Sequence, residues 1–396
     1  MNYEKLIQAA DRCVLCGLCS SHCPTYQLYQ IEGESPRGRV MMSTALIQGT
    51  LVAEPSLIEH LNHCLLCRAC EKACPSEVPF GAILDTSLSH LSTTSWRSQL
   101  IEWMALHPKW LQKLAVVAAI WRSLRLPLPP LGRASIKLLP KKQTAIAHFY
   151  PALQDKIGRV GLFLGCFARP FDLQTHHAAI QILTQLGYEV MIPPQQQCCG
   201  ALSQHHGNPQ QAKQQAAINR SAFGNQPLDA ILFTSTGCGV QLIEQSEPGT
   251  PCIEFCDFVL QSLTLKKLPL KPLAEEVMLH HPCSLSNVIQ GSNAVEALLM
   301  TIPGFKHQTL APGCCGAAGS HRIREPQTAD TLRQPKIEAL QQSGATTLIT
   351  TNYGCALHFA EGVELTGLTI EIIHPATLLF RHLKEPPLDP DRLLDE

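Results

Sequence analysis

Two hydrophobic rhythms divide the chain. Over residues 1–95 apolar positions recur at helical spacing in short runs interrupted by cysteine and proline. Residues 1–12 read as an amphipathic helix, and 40–51 and 54–62 also have helical character. From Val160 the pattern becomes short continuous apolar runs alternating with helical ones. These predict a strand at 160–166, a helix at 176–186, a strand at 188–192, a helix at 209–221 and a strand at 230–234. The pattern restarts 117 residues later at Val277 and closes on a strand at 346–350. Alternating strands and helices imply βαβ units with parallel sheets. The expected fold class is thus α+β and multidomain, an α-helical module followed by two related α/β repeats. The boundaries read as 1–95, a basic Trp-rich linker at 96–155, repeats at 156–268 and 269–385, and a tail at 386–396.

The cysteines sharpen this picture. Cys13-Val-Leu-Cys16-Gly-Leu-Cys19-Ser-Ser-His-Cys23-Pro24 returns as Cys64-Leu-Leu-Cys67-Arg-Ala-Cys70-Glu-Lys-Ala-Cys74-Pro75. Both read C-x2-C-x2-C-x3-C-P, the run that holds [4Fe–4S] clusters in two-cluster ferredoxins. Three thiolates on a tight loop can take three corners of one cubane, and the fourth leaves the loop for the other cluster. This assigns Cys13, Cys16, Cys19 and Cys74 to one cluster, and Cys64, Cys67, Cys70 and Cys23 to the second. Zinc also takes four thiolates, but usually from two separated pairs. Forty residues separate Cys23 from Cys64, more than a compact two-cluster ferredoxin needs, and their helical character points to an α-helical ferredoxin-type module. Arg37 and Arg39, in Ser35-Pro36-Arg37-Gly38-Arg39, are either surface charges or offsets to the negative charge of a thiolate-ligated cluster.

In the repeats, every cysteine of the pattern follows a strand. The first copy has Cys166, Cys198, Cys199 and Cys238 at intervals of 32 and 39; the second has Cys283, Cys314, Cys315 and Cys355 at 31 and 40. Open α/β sheets place their ligands at such strand ends. Four thiolates per repeat meet the demand of a further metal centre. Buried unligated thiols are the alternative, since Cys packs as a small hydrophobe, but the same spacing would then have to arise twice. His205 and His321, each five residues past a Cys-Cys-Gly, are candidate hydrogen-bond donors or proton carriers beside these thiols.

Composition adds limits. Eighteen cysteines without a recognisable signal sequence in the first residues suggest reduced, metal-ligating thiols and a cytoplasmic protein. The formal net charge of -1 gives no general attraction to nucleic acid. No apolar run approaches the roughly 18 residues of a membrane span; the longest, 114–121, is bounded by Lys113 and Arg122. All four tryptophans (Trp96, Trp103, Trp110, Trp121) fall between residues 96 and 142, with nine basic residues (Arg97, Lys109, Lys113, Arg122, Arg125, Arg133, Lys137, Lys141, Lys142) against Glu102 alone. Pro127-Leu-Pro129-Pro130 breaks this stretch after a helix. Either it is a packed linker whose tryptophans fill gaps between domains, or it docks on a partner subunit or an anionic membrane.

Two ferredoxin runs followed by paired Cys-Cys-Gly repeats resemble the iron–sulfur subunit of glycolate oxidase along essentially the whole chain. The wider family includes cysteine-rich parts of heterodisulfide reductase, a glycerol-3-phosphate dehydrogenase subunit and a lactate-utilisation protein. Ser35-Pro36-Arg37-Gly38-Arg39, Asn352-Tyr-Gly-Cys355 and His374-Pro-Ala-Thr-Leu-Leu look most like the glycolate oxidase branch. The family pattern closes each repeat on C-x-x-C, whereas Ser235 and Asn352 hold the first of those positions here. The resemblance implies two [4Fe–4S] clusters, with one or two further iron–sulfur centres in the repeats.

No G-x-G-x-x-G follows a strand and opens a helix, so no dinucleotide fold is expected. Oxidation of a 2-hydroxy acid needs a two-electron acceptor, usually flavin, and clusters take electrons singly. The expectation is therefore an electron-transfer subunit, inactive alone, that takes electrons from a flavoprotein (FAD) subunit to a quinone-type acceptor, with peripheral contact at the inner face of the membrane. A catalytic subunit that itself reduces a disulfide or quinone, or the corresponding subunit of a lactate or glycerol-3-phosphate dehydrogenase, is the alternative.

Overall fold

The computed structural model describes residues 3–91, 96–123 and 145–384 apart from 225 and 248. The proline break at 127–130, the basic residues Arg125, Arg133, Lys137, Lys141 and Lys142, and the tail at 386–396 lie outside the described residues.

The N-terminal part is helical throughout: Tyr3–Ala10, Pro24–Tyr29, Pro36–Ile47, Pro55–Asn62, Ala69–Lys72 and Phe80–Leu88. Three of these helices begin on proline, whose missing N–H costs nothing at a first helical position. Ser35 caps the Pro36–Ile47 helix, its hydroxyl accepting the Gly38 N–H at 2.9 Å. The sequence reading began this helix at Val40; the Ser-Pro pair starts it a turn earlier and brings Arg37 and Arg39 onto it. Leu6, Val40, Leu57, Leu61, Ile83 and Leu84 form the core between these helices.

The second half contains two sheets. In the first, β1 (Phe149–Tyr150), β2 (Gly158–Phe163), β3 (Tyr188–Met191), β4 (Ala230–Phe233) and β5 (Cys252–Glu254) stand in the order β1-β3-β2-β4-β5, parallel except for β1. In the second, β6 (Glu276–His280), β7 (Lys306–Thr309), β8 (Thr347–Thr350) and β9 (Glu371–Ile373) stand in the order β7-β6-β8-β9, all parallel. Leaving out β1, the two orders are the same. Each chain path runs to one side of its first strand and then crosses back to the other, leaving a crevice at the carboxyl ends of the strands on either side of the switch. The sequence reading left out β1, β5, β7 and β9. Of these, Lys306-His-Gln-Thr is an exposed polar edge strand with no apolar run to mark it.

The two repeats share one core. The helix after β2 (Leu173–Gln185) packs on the helix after β9 (Pro375–Arg381), and the helix after β5 (Phe255–Ser262) packs on the helix after β6 (Ser292–Leu299). These are the same contact made twice, so the repeats face one another about a pseudo-twofold axis. Between the N-terminal module and the repeats run two helices, Trp96–Leu106 and Pro108–Ser123. Their tryptophans do not fill interdomain gaps: Trp96, Trp103, Trp110 and Trp121 are all exposed. Among the described residues no helix is long and apolar enough to cross a membrane.

Candidate metal centres

The two N-terminal cysteine runs form matching loops. Leu15 and Leu66, then Gly17 and Arg68, occupy the left-handed region at equivalent positions, with φ of 56°, 48°, 81° and 56°. Three of the four are not glycine. Such backbone is sparsely populated for residues with a Cβ and marks a conformation imposed by its surroundings. It curls each loop around its own thiols; the Leu66 N–H reaches Cys64 Sγ at 3.4 Å. Each loop then passes through one helical turn (Ser20–His22, Ala69–Lys72) that delivers the fourth cysteine elsewhere.

The structure brings Cys13, Cys19 and Cys74 close together, and likewise Cys23, Cys64, Cys67 and Cys70. Burial, opposed by the Arg37 and Cys19 backbone N–H groups and reinforced by Cys13 and Cys74, raises the pKa of Cys19. Burial raises Cys64 to about 11, with Arg39 opposing and Cys23 adding. Cys70 is raised by burial and then by Cys67, Cys64 and Cys23. Cys13, Cys19 and Cys74 thus neighbour one another, as do Cys23, Cys64, Cys67 and Cys70, while Cys16 is exposed on its loop. The second set lines a small, partly open pocket with Pro24, Arg39 and Phe80. Thiols so buried stay protonated unless a cation replaces the proton. Four of them converging on a small space fit a thiolate-ligated iron–sulfur cluster.

Arg39 is the polar centre of the second set, and it is no surface charge: it is 1% exposed. Its guanidinium donates to Thr25 Oγ1 at 2.8 Å, the Glu34 carbonyl at 2.7 Å, the His60 carbonyl at 2.8 Å and Cys23 Sγ at 3.8 Å, and it pairs with the Glu34 carboxylate. Glu34 also receives His60 and His63, each through Nδ1 at 2.8 Å. Burial pushes the Glu34 pKa up, but His63, His60 and Arg39 together outweigh it and hold the carboxyl below its usual range. The sequence reading missed Glu34, His60 and His63, because nothing in their spacing shows that they meet at Arg39. Arg37 has a different role, bonding Glu32 at 2.7 Å and the Leu15 carbonyl of the first loop at 3.1 Å.

In the repeats the structure gathers each predicted set. Cys166, Cys198, Cys199 and Cys238 lie in sequence within hydrogen-bonding reach of one another, as do Cys283, Cys314, Cys315 and Cys355, and Cys315 Sγ stands 3.1 Å from Cys355 Sγ. The glycines after the cysteine pairs are required. Gly200 and Gly316 sit at φ 97° and 91°, and a Cβ on Gly316 would lie 2.5 Å from the Ala329 carbonyl oxygen. The Pro326–Ser343 helix thus approaches the Cys314-Cys315-Gly316 turn too closely to admit a Cβ. His205 and His321 do not form a matched pair. His205 Nδ1 bonds Asp85 at 3.0 Å, bridging to the N-terminal module, whereas His321 is buried beside the backbone of His63 and Gly316, and burial, Arg324 and His63 lower its pKa to about 4.

The second repeat abuts the second N-terminal set. Its short π-helix Ser284–Ile289 begins directly after Cys283, and Asn287 donates to the Cys67 carbonyl at 2.8 Å while Lys72 donates to that of Ser286 at 3.0 Å. Cys67 is raised by burial and next by Cys283, and Cys67 in turn acts on Cys314. Tyr29 with Thr328 (2.6 Å) and Arg324 with Asn62 (3.1 Å) complete this seam.

The chain is similar to known proteins along most of its length. Residues 9–78 match the 4Fe-4S dicluster domain family, and 160–243 and 277–360 each match the CCG cysteine-rich domain family. The probable glycolate oxidase iron–sulfur subunit of Bacillus subtilis is 30% identical over 93% of this chain and 93% of its own. The glycolate oxidase iron–sulfur subunit of Escherichia coli is 29% identical over 92% of this chain and 93% of its own. Lactate utilization protein A of Shouchella clausii is 24% identical over 56% of this chain and 98% of its own. Among solved structures, a glutamate racemase from Bacillus anthracis overlaps 57% of this chain and 79% of its own at 14% identity, with a TM-score of 0.29.

Proposed function

We propose that this chain, which belongs to the family of glycolate oxidase iron–sulfur subunits, carries electrons from a flavoprotein (FAD) subunit that oxidises glycolate to glyoxylate towards a quinone-type acceptor at the inner face of the membrane. It is an iron–sulfur subunit of the glycolate oxidase and lactate-utilisation type, with a dicluster [4Fe–4S] domain and two cysteine-rich repeats. Within that frame, Cys13, Cys16, Cys19 and Cys74 would hold one cluster and Cys23, Cys64, Cys67 and Cys70 the other. Cys166, Cys198, Cys199 and Cys238, and Cys283, Cys314, Cys315 and Cys355, would hold further centres. When bound, such clusters supply transfer of one electron at a time without proton chemistry.

The observation that carries this reading is the contiguity of the thiol sets. Cys19 and Cys23 flank one helical turn, Cys70 lies on another that leads to Cys74, and Cys67 lies beside Cys283 and Cys314. The chain's own residues hold these sets in register, bury the second set more deeply than the first, and place the Arg39 charge beside Cys23 and Cys64.

The test is reconstitution. The purified, flavin-free chain should not oxidise glycolate or lactate with a dye acceptor, and adding the flavoprotein that co-purifies with it should give turnover with glycolate. Oxidation by the chain alone would overturn the reading in favour of a catalytic subunit. Turnover with lactate or glycerol-3-phosphate in place of glycolate would move it to the corresponding dehydrogenase.

A further inference from the structure

We propose that the helices Trp96–Leu106 and Pro108–Ser123 seat the protein in the interfacial layer of an anionic lipid bilayer. This deepens the membrane-linked part of the reading above and rests on it for the reason such a seat exists.

Each helix has an inner side, with Ile101, Ala105, Leu111 and Ala115 buried against the body of the protein. The outer side is also apolar. Trp110, Leu114, Val117 and Trp121 follow one another at intervals of four, three and four residues, which aligns them on one stripe. Their exposures are 52%, 49%, 57% and 41%, and Leu100 and Trp103 continue the surface on the preceding helix. A helix apolar on both sides belongs in a core or against a membrane, and a contiguous exposed patch of this kind marks a contact surface. Sixteen residues reach only about 24 Å, short of the roughly 20 residues that cross a bilayer, so the helix lies along the surface.

Charge selects the occupant. Along the two helices four Lys and Arg (Arg97, Lys109, Lys113 and Arg122) oppose one acid. That acid, Glu102, is turned away from the outer surface: its carboxylate bonds His206 Nδ1 at 3.3 Å and only 14% of its side chain is exposed. Lys109 and Lys113 stand on either side of Trp110 in the sequence, and lysine is depleted from protein–protein interfaces but suited to phosphate headgroups. Lys113 Nζ lies 4.9 Å from the Trp110 ring centre and the Arg97 guanidinium 5.6 Å from that of Trp96, so charged tips accompany apolar bodies. Such amphipathic side chains settle at the headgroup boundary.

The experiment uses the full-length, cluster-loaded protein and vesicles of phosphatidylcholine with or without phosphatidylglycerol. The protein should sediment with the phosphatidylglycerol vesicles and release as salt is raised, and brominated lipid should quench its tryptophan emission. Trp110→Ser with Leu114→Ser and Val117→Ser should weaken vesicle binding by about tenfold or more, with iron content and helicity unchanged; Lys109→Glu with Lys113→Glu should weaken binding to the anionic vesicles only. Failure to bind anionic vesicles, or a stripe variant that binds them normally but loses its co-purifying flavoprotein, overturns the proposal; the latter makes the stripe a subunit interface. Quinone reduction that persists without vesicle binding overturns this seat and leaves the acceptor reading standing. Vesicle binding without quinone reduction does the reverse.

Discussion

Ser235 and Asn352, equivalent residues 117 positions apart, hydrogen bond to each other, the serine hydroxyl donating to Asn352 Oδ1 at 3.1 Å. They stand where the family pattern has the first cysteine of C-x-x-C. Around them the Thr236 N–H donates to the Thr351 carbonyl at 3.1 Å, and Ser284 donates to Thr236 Oγ1 at 2.8 Å. The turns that carry Cys238 and Cys355 therefore meet at the pseudo-twofold axis, and a polar contact replaces what would be two further thiols.

Asn352 also accepts the Gly354 N–H at 3.2 Å, capping the helix that bears Cys355. Asn352→Leu should cost about 1–3 kcal/mol, from a lost cap and an unpaired Ser235 hydroxyl, and Asn352→Asp less, because it keeps the cap. Thermal unfolding of the two variants checks the order; equal melting temperatures would show that the contact across the axis has no energetic weight.

Iron counting tests the thiol assignment. Cys13→Ser and Cys64→Ser should each remove about four irons independently if each touches one cubane. Cys199→Ala with Cys315→Ala should remove only iron bound beyond those. An unchanged iron content in the last variant would make the repeats a scaffold.

Arg39 couples stability to electrochemistry. Arg39→Met leaves the Glu34 carboxylate buried without its cation and should cost about 3–5 kcal/mol. The same change removes a positive charge beside Cys23, so the reduced state is less favoured and the midpoint potential of the cluster held by Cys23, Cys64, Cys67 and Cys70 should fall. Arg39→Lys keeps the charge but not the fork of hydrogen bonds, and should lower stability more than potential. An EPR-monitored redox titration reads the shift, and a potential unmoved by the Met variant would limit Arg39 to a structural role.

Glu254 makes stability fall with pH across a defined window. It is 2% exposed, and burial, only partly opposed by the backbone N–H groups of Asp257 and Cys256, raises its pKa from 4.5 to about 7. The folded protein holds this proton more tightly than the unfolded chain. Its contribution is therefore fully present below pH 4.5 and is lost as the pH rises to about 7, a loss on the order of 3 kcal/mol. Glu254→Gln keeps a cap for the helix at 255–262 and should remove that slope, which melting curves between those pH values would detect.

The cluster chemistry is written in the sequence because it is local. C-x2-C-x2-C-x3-C-P marks both the thiols of a loop and the one that leaves it, and the structure brings Cys23 to Cys64, Cys67 and Cys70, and Cys74 to Cys13 and Cys19. The repeat was equally legible, since apolar strands and the Cys-Cys-Gly turn recur at nearly constant intervals, and the family resemblance rests on these same local features. What the tertiary structure decided was whatever depends on residues far apart in the chain. Arg39 reads as one more surface charge until Glu34, His60 and Cys23 close around it. The strands β5, β7 and β9 are too short or too polar to declare themselves and exist because a neighbouring strand offers its open edge. His205 and His321 share a position in the sequence but not an environment, because the N-terminal module meets the two repeats through different residues. The junction of Cys67 with Cys283 arises only when the N-terminal module packs on the second repeat, and that of Ser235 with Asn352 only when the repeats pack about their common axis: hydrogen bonds of a few ångströms across separations of 117 residues or more are set by the packing of whole domains, and no local pattern encodes them.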